Sequence, residues 1–262
     1  MTSTLVVTGA ASGIGLALVR RALASKTVDV FALDRNPCPE TEATTILCDL
    51  SDPAAIAEIS LPEHIDMLAN VAGVPGTAPA DVVLAVNTLG MRTLTARCLK
   101  SMASGGRIVN VASVAAHRNQ IELPAIAKLL EVVDRRELAT WLSAHPLDGA
   151  AAYDTSKRAV LEWTSSLAAA LISREIGVVS VSPGPTDTPI LADFSQSMGS
   201  ASIDRSAAAV GRHGTADEIA AVVEFFLSPA ASWTNGIDVL VEGGLTATRS
   251  ALLADPLKGL PL

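Results

Sequence analysis

Short apolar runs alternate with stretches of helical period from one end of the chain to the other. Residues 4–8, 28–33, 44–48, 65–69, 107–112, 178–181 and 236–241 are rich in Val, Ile and Leu and lack polar alternation. Strands of that kind are buried on both faces, which predicts a parallel sheet covered by helices. Between them, residues 13–25 place Ile14, Ala17, Leu18 and Ala22 near a helical period. Residues 53–59 read as a short helix, with Asp52 as cap and Pro53 in its first turn. Residues 80–102 and 151–173 read as long helices, and 215–227 as a helix that opens on a capping threonine.

One stretch breaks the rhythm. Within residues 115–149, Ile126, Leu129, Leu130 and Val133 form one helical stripe, with Lys128, Glu131 and Asp134 opposite. Leu138, Trp141 and Leu142 continue an apolar face until His145 and Pro146 stop it. This predicts an inserted helical segment over about 116–149, too apolar to stay in water. The tail after Gly244 reads as loosely ordered. No composition break divides residues 1–262, so a single domain is expected.

Composition narrows the classes. Lys and Arg number 19 against 27 Asp and Glu, a net charge of −8 without a basic cluster. That argues against nucleic acid and against an anionic membrane surface. No apolar run approaches the roughly 18 residues of a spanning helix. Cys38, Cys48 and Cys98 show neither a paired spacing nor a nearby His, which disfavours a disulfide framework or a metal site. The start of the chain lacks a basic region and runs straight into glycines, so a cytoplasmic enzyme without a signal peptide is expected.

The glycines stand where a strand hands over to a helix. Gly9 permits the turn, Gly13 lets backbone approach a pyrophosphate, and Gly15 lets helix and strand pack. Ser12 and Ile14 complete the loop, and the helix N-terminus offers N–H donors to phosphate. Asp34 closes the second strand, where a carboxylate accepts ribose hydroxyls and repels a 2′-phosphate, favouring NAD. Arg35 beside it could instead meet a phosphate or stack on adenine. Asp49 and Leu50 either bracket the adenine or form a solvated turn. Tyr153, the chain's only tyrosine, stands four residues before Lys157, on one face of a helix. An ammonium there is expected to lower the phenol's pKa. Ser113 ends the fifth strand, at the sheet edge where such folds bind ligands.

In this order the motifs resemble the short-chain dehydrogenase/reductase family over essentially the whole chain. The resemblance rests on residues 8–15, Asp49-Leu50, Asn70 to Gly73, Asn87, Ser113, Tyr153 and Lys157, Pro183-Gly184 through Thr188, and residues 241–244. Val71 stands where a second asparagine is common, and Glu242 where aspartate is usual. The resemblance implies a Rossmann-type, doubly wound α/β fold: a seven-stranded parallel sheet with helices on both faces. It implies Tyr153 as general acid/base, Ser113 holding the substrate oxygen, and Lys157 binding the nicotinamide ribose and tuning Tyr153. Asn87 would hold a water that extends a proton relay. Asn70, Ala72 and Gly73 would support the adenosine side, and Pro183, Gly184, Thr186 and Thr188 the nicotinamide.

The gap between Ser113 and Tyr153 is wide for the family. It resembles the branch of bacterial 3α-hydroxysteroid dehydrogenase/carbonyl reductases, coniferyl-alcohol dehydrogenases and isopiperitenol dehydrogenases. An NAD-dependent dehydrogenase for an apolar alcohol (a cyclic terpenoid, a steroid or an aryl allylic alcohol) is therefore expected, acting reversibly. The alternatives are a carbonyl reductase working mainly in the reducing direction and a non-catalytic NAD-binding regulator; the intact Tyr153 and Lys157 argue against the latter. Val74, Pro185, Ile190, Leu191, Phe194 and Met198 would wall the substrate, with 190–198 where the family has a mobile lid. Residues 186–202 contain no Arg or Lys, which predicts a pocket unsuited to a carboxylate. A homodimer or homotetramer is expected; the insertion would cover or reshape the family's usual four-helix contact, which brings a dimer through the seventh strand into play.

Overall fold

The computed structural model describes residues 2–198 and 200–251, with backbone alone at 194, 195, 197, 198 and 200–203. In chain order, β1 (Ser3–Thr8), α1 (Gly13–Ala24), β2 (Val28–Asp34), β3 (Thr44–Leu47), α2 (Pro53–Glu58) and β4 (Ile65–Asn70) come first. Next are α3 (Ala80–Leu84), α4 (Met91–Cys98), β5 (Met102–Val111), α5 (Leu123–Glu131), α6 (Arg135–Ala144) and α7 (Gly149–Leu171). The chain continues with β6 (Gly177–Pro183), β7 (Thr186–Asp187), α8 (Leu191–Met198), α9 (Ser200–Val210) and β8 (Gly214–Thr215). It closes with α10 (Ala216–Leu227), β9 (Asp238–Val241) and α11 (Leu245–Ser250).

Seven strands form one sheet in the order β3-β2-β1-β4-β5-β6-β9. Every pair is parallel. The winding reverses between β1 and β4, so their carboxyl ends diverge and open a crevice there. Successive strand residues point to opposite faces, and both faces are apolar. Val7, Ala69, Val109 and Val179 pack with Leu18, Val19, Ile219 and Val223 of α1 and α10. Val6, Leu68, Ile108 and Val178 pack with Ile56, Leu94 and Cys98 of α2 and α4. Each large buried side chain is worth about 1.5–3 kcal/mol. The caps read from sequence are present. The Asp52 carboxylate accepts the Ala54 N–H at 2.9 Å, and Thr215 and Glu218 form a reciprocal capping box.

The long helix expected over 80–102 is interrupted. α3 passes into a π-helical turn over Ala85–Gly90, and α4 ends at Cys98. Met102 already pairs with Ile65 in the sheet, while the next pair is Met67 with Arg107. Residues 103–106 bulge out between these pairings. Helical composition persists to Met102, which hid the early strand start from a reading by period.

The insertion forms α5 and α6, packed on α3 and α7. Ile126, Leu129, Leu138 and Trp141 share a buried cluster with Val83, Leu84, Ala152 and Tyr153. The Trp141 indole donates to the Ala125 carbonyl at 2.9 Å and stacks on His145 with ring centroids 4.4 Å apart. Val133, expected in the stripe, is 66% exposed, and Val132 is buried in its place. The reason is local: α5 stops at Glu131, and Val132 turns extended with ψ 131°, which shifts the phase by one residue. The start of the supposedly loose tail is also ordered, since α11 is a helix that buries Leu245; residues 252–262 lie outside the described residues. Among the described residues, no helix is long and apolar enough to cross a membrane.

Candidate active site

The crevice at the carboxyl edge of β1 and β4 is lined by the glycine loop. Gly9 has φ +67°, and a Cβ on it would lie 2.8 Å from the Ala72 Cα. A Cβ on Gly15 would lie 2.1 Å from the Gly9 carbonyl oxygen. Both positions exclude a side chain because the clash is with backbone. Ser12 starts α1 without a side-chain cap bond, so the first-turn N–H groups keep no intrahelical partner. Thr8, the last residue of β1, ties the crevice together: its hydroxyl accepts the Val71 and Ala72 N–H groups at 2.9 and 3.0 Å. The Asp34 carboxylate accepts N–H groups from Ala11 at 3.1 Å and Asn36 at 2.9 Å. It faces the same groove as Gly13, Arg35, Asp49, Leu50 and Ala72. Leu33, Asn36, Cys48 and Val86 line this groove as well, and no sequence signal marked them.

Ile14, Val71, Gly73, Thr188 and Ile190 also line a second cavity, which makes the groove continuous. That cavity, about 220 Å³, contains Ser113, Tyr153, Lys157, Pro183, Gly184 and Thr186. The β5 end and the first turns of α7 meet here. The Lys157 ammonium donates to the Val111 carbonyl at 2.9 Å and sits 5.7 Å from the Tyr153 ring centre. Ser113 hydrogen-bonds the phenol and accepts the Ala115 N–H at 3.1 Å. Burial pushes the phenol up to about 12, partly offset by the Ser113 hydrogen bond. Burial brings Lys157 down to about 8. The phenol's pKa thus moves opposite to the sequence expectation, because desolvation outweighs the Ser113 hydrogen bond and the Arg118 charge that favour the phenolate.

Three further expectations need correction, and the role of Asn87 is narrowed. Asn70 does not line the groove: its amide donates to Thr95 and to Asn110, both at 2.9 Å, inside the helix layer. Asn87, in the π turn, accepts the Val74 N–H at 2.9 Å and donates to the Val74 carbonyl and to Ser156, both at 3.1 Å. Both of its amide protons are committed, so its side chain clamps the 71–77 loop, and a relay water would have to be held by an oxygen of Asn87. That clamp turns Val74 into the dinucleotide groove rather than the catalytic cavity, whose wall does include Pro185, Ile190 and Leu191. The cavity also holds two arginines, Arg118 and Arg249, despite the lack of cations in 186–202. They arrive from the insertion's first turn and from α11, far away in sequence. The Arg118 guanidinium forks onto Asp154 at 2.7 and 3.0 Å. The side chains of Phe194 and Met198 lie outside the described residues.

Comparison with known proteins agrees with this architecture. Residues 3–126 match the short chain dehydrogenase family, and 138–246 match the family described as enoyl-(acyl carrier protein) reductase. Coniferyl-alcohol dehydrogenase from Pseudomonas sp. (strain HR199 / DSM 7063) is 38% identical over 93% of this chain and 96% of its own. The 3-alpha-hydroxysteroid dehydrogenase/carbonyl reductase of Comamonas testosteroni is 28% identical over 94% and 97%. Among solved structures, 3-alpha-hydroxysteroid dehydrogenase from Pseudomonas sp. B-0831, complexed with NADH, superposes with a TM-score of 0.79 at 29% identity, covering 96% of this chain and 100% of that one. A doubly wound sheet, a glycine turn that tolerates no Cβ, a tyrosine and lysine one helical turn apart, and a relative 38% identical along almost its full length place this chain in the short-chain dehydrogenase/reductase family of oxidoreductases.

Proposed function

We propose that the chain is an NAD-dependent dehydrogenase that oxidises the hydroxyl of an apolar alcohol to the carbonyl, reversibly. The observation that carries this is the convergence of Tyr153, Ser113 and Lys157 on one cavity continuous with a groove that ends at Asp34. The groove fits a dinucleotide: Gly9 and Gly15 hold the turn in a packing that admits no side chain, Gly13 has only the Thr188 side chain beside it, the α1 N-terminus is uncapped, and a carboxylate stands at the ribose end. Gly13, Ser12 and Ile14 would meet the pyrophosphate, Asp34 the adenosine ribose, and Thr186 and Thr188 the nicotinamide end. When bound, the nicotinamide supplies the redox chemistry by accepting the carbinol hydride.

The protein's part is proton handling and placement. Ser113 and Tyr153 would hold the alcohol oxygen, and in oxidation Tyr153 would take the alcohol's proton while passing its own phenolic proton to the neutral Lys157 amine, both transfers running backwards in reduction. Lys157 would hold the nicotinamide ribose and set the charge beside the phenol. Val114, Pro185, Ile190, Leu191 and Leu245 give the cavity an apolar body. Among apolar alcohols, the 38% identical relative's name supports an aryl allylic substrate, and the steroid dehydrogenases support a fused-ring one. The test is formation of NADH across steroids, monoterpenols and aryl allylic alcohols. Binding of NADH without turnover of any of them would leave a dinucleotide-binding protein, not this dehydrogenase.

Asp34 should make NAD preferred over NADP by at least about tenfold in kcat/KM, the loss expected from one unmade charged hydrogen bond and phosphate repulsion. In Asp34→Ala the ratio should shrink, with Arg35 then free to meet the phosphate. Equal use of both cofactors by the wild type would assign control to Arg35.

The buried pair also sets a pH dependence. Its first proton leaves near 8, from Lys157, while the phenol stays protonated until far more alkaline conditions. Oxidation needs a pair able to accept a proton, so kcat/KM for the alcohol should rise with pH through about 8, and the reverse reaction should fall. Lys157→Met should abolish that step. Tyrosinate absorbance, which only Tyr153 can give, should remain absent across the rise in the cofactor-free protein.

Self-association through the outer edge of the sheet is part of the same proposal. Phe225, Trp233, Ile237 and Leu240 are exposed on and beside the edge strand β9 and helix α10, an apolar margin suited to a second copy.

A further inference from the structure

The catalytic cavity carries three cationic side chains, Lys157, Arg118 and Arg249, and among the described residues no Asp or Glu lines it. In a chain of net charge −8 this is a local reversal of sign. Two of the three have an internal use. Lys157 donates to the Val111 carbonyl beside Tyr153, and Arg118 is forked onto Asp154. Arg249 differs. It enters from α11, and among the described residues its guanidinium reaches only the Ser206 hydroxyl, at 3.4 Å. Among the described residues it has no carboxylate partner, unlike Arg20, Arg21, Arg135, Arg158 and Arg212, and no backbone carbonyl of the kind that Arg92, Arg97, Arg107 and Arg174 hold. Its charge does not serve the dinucleotide phosphates, since the glycine loop lies in the other arm of the groove, which Arg249 does not line. The wall it shares includes Val114, Pro185, Leu191 and Leu245, all apolar.

We propose that Arg249 is a specificity-determining residue that receives a carboxylate on the end of the alcohol remote from its carbinol. This rests on the reading that the hydroxyl lies on Tyr153 and Ser113. The substrate class is then a hydroxy acid with an apolar body: hydroxyl at the phenol, hydrocarbon along the wall, anion on the guanidinium. A planar fork matches a carboxylate in two-pronged geometry, which a neutral ester cannot reproduce.

The test uses para-carboxycinnamyl alcohol and its methyl ester. Calorimetry on the NADH-saturated protein should show the carboxylate bound at least about tenfold more tightly than the ester, as one charged hydrogen bond allows. The ratio should collapse in Arg249→Leu and be recovered in part in Arg249→Lys, with NADH affinity as the check on folding. Equal binding of the pair, binding of neither, or a ratio that survives Arg249→Leu overturns the inference. Turnover separates it from the functional reading. Oxidation without carboxylate preference would leave the dehydrogenase and remove the anion site. Arg249-dependent binding without oxidation of any alcohol would do the reverse.

Discussion

Tyr153→Phe should lower kcat by roughly 10² to 10⁴, the usual contribution of general acid–base catalysis, while NAD affinity stays nearly unchanged. The substitution deletes one oxygen and keeps the ring, which packs among Val83, Leu84 and Ala152, so the fold has no reason to respond. Nothing else can take over: the chain has no second tyrosine, and Ser113 keeps a hydroxyl far too weak as a base. Single-turnover rates with a saturating alcohol would measure the effect. Activity within about threefold of wild type, well short of a general-base effect, would remove Tyr153 from the mechanism.

Trp141→Ala should cost about 3–5 kcal/mol of stability, the range for emptying a buried aromatic site. Three losses coincide. The buried ring leaves the cluster that joins the insertion to α3 and α7, the hydrogen bond from its N–H to the Ala125 carbonyl is lost, and its stack on His145 disappears. Urea unfolding followed by far-ultraviolet circular dichroism gives the number. A loss below about 1 kcal/mol, the level of an ordinary surface change, would mean that the insertion is only draped on the domain. Turnover should fall far less than in Tyr153→Phe, since Trp141 does not line the cavity.

The sheet was legible because strands buried on both faces lack a polar alternation, and Val, Ile and Leu recur on both faces of β1, β2, β4 and β6. The meeting of Tyr153 and Lys157 was legible because helix geometry alone brings residues four apart together, and Ser113 followed from its place at a strand end. Phase was not legible. Helical period continues through Glu131 into Val133, yet the chain turns extended at Val132, and only backbone angles decide which valine is buried. Nor was Arg249, which reaches the cavity from more than ninety residues beyond Tyr153 in a tail read as loose. Asn70 illustrates another limit: an asparagine at a strand end can point into the crevice or beneath it, and pairing with Thr95 and Asn110 selects the second. The direction of the phenol shift was misjudged because spacing reports which charges are near, while desolvation depends on what the rest of the chain closes over them.

Because α5 and α6 belong to the same chain as the α3 and α7 surfaces they shield, that shielding is an intramolecular event. A cover lent by another subunit would come off on dilution, to an extent set by its dissociation constant. Here the local concentration of the cover is fixed by the peptide connections at either end of the insertion. The wall behind Tyr153 therefore keeps its shape at the sparsest expression level a cell can offer, whatever happens at the β9 edge.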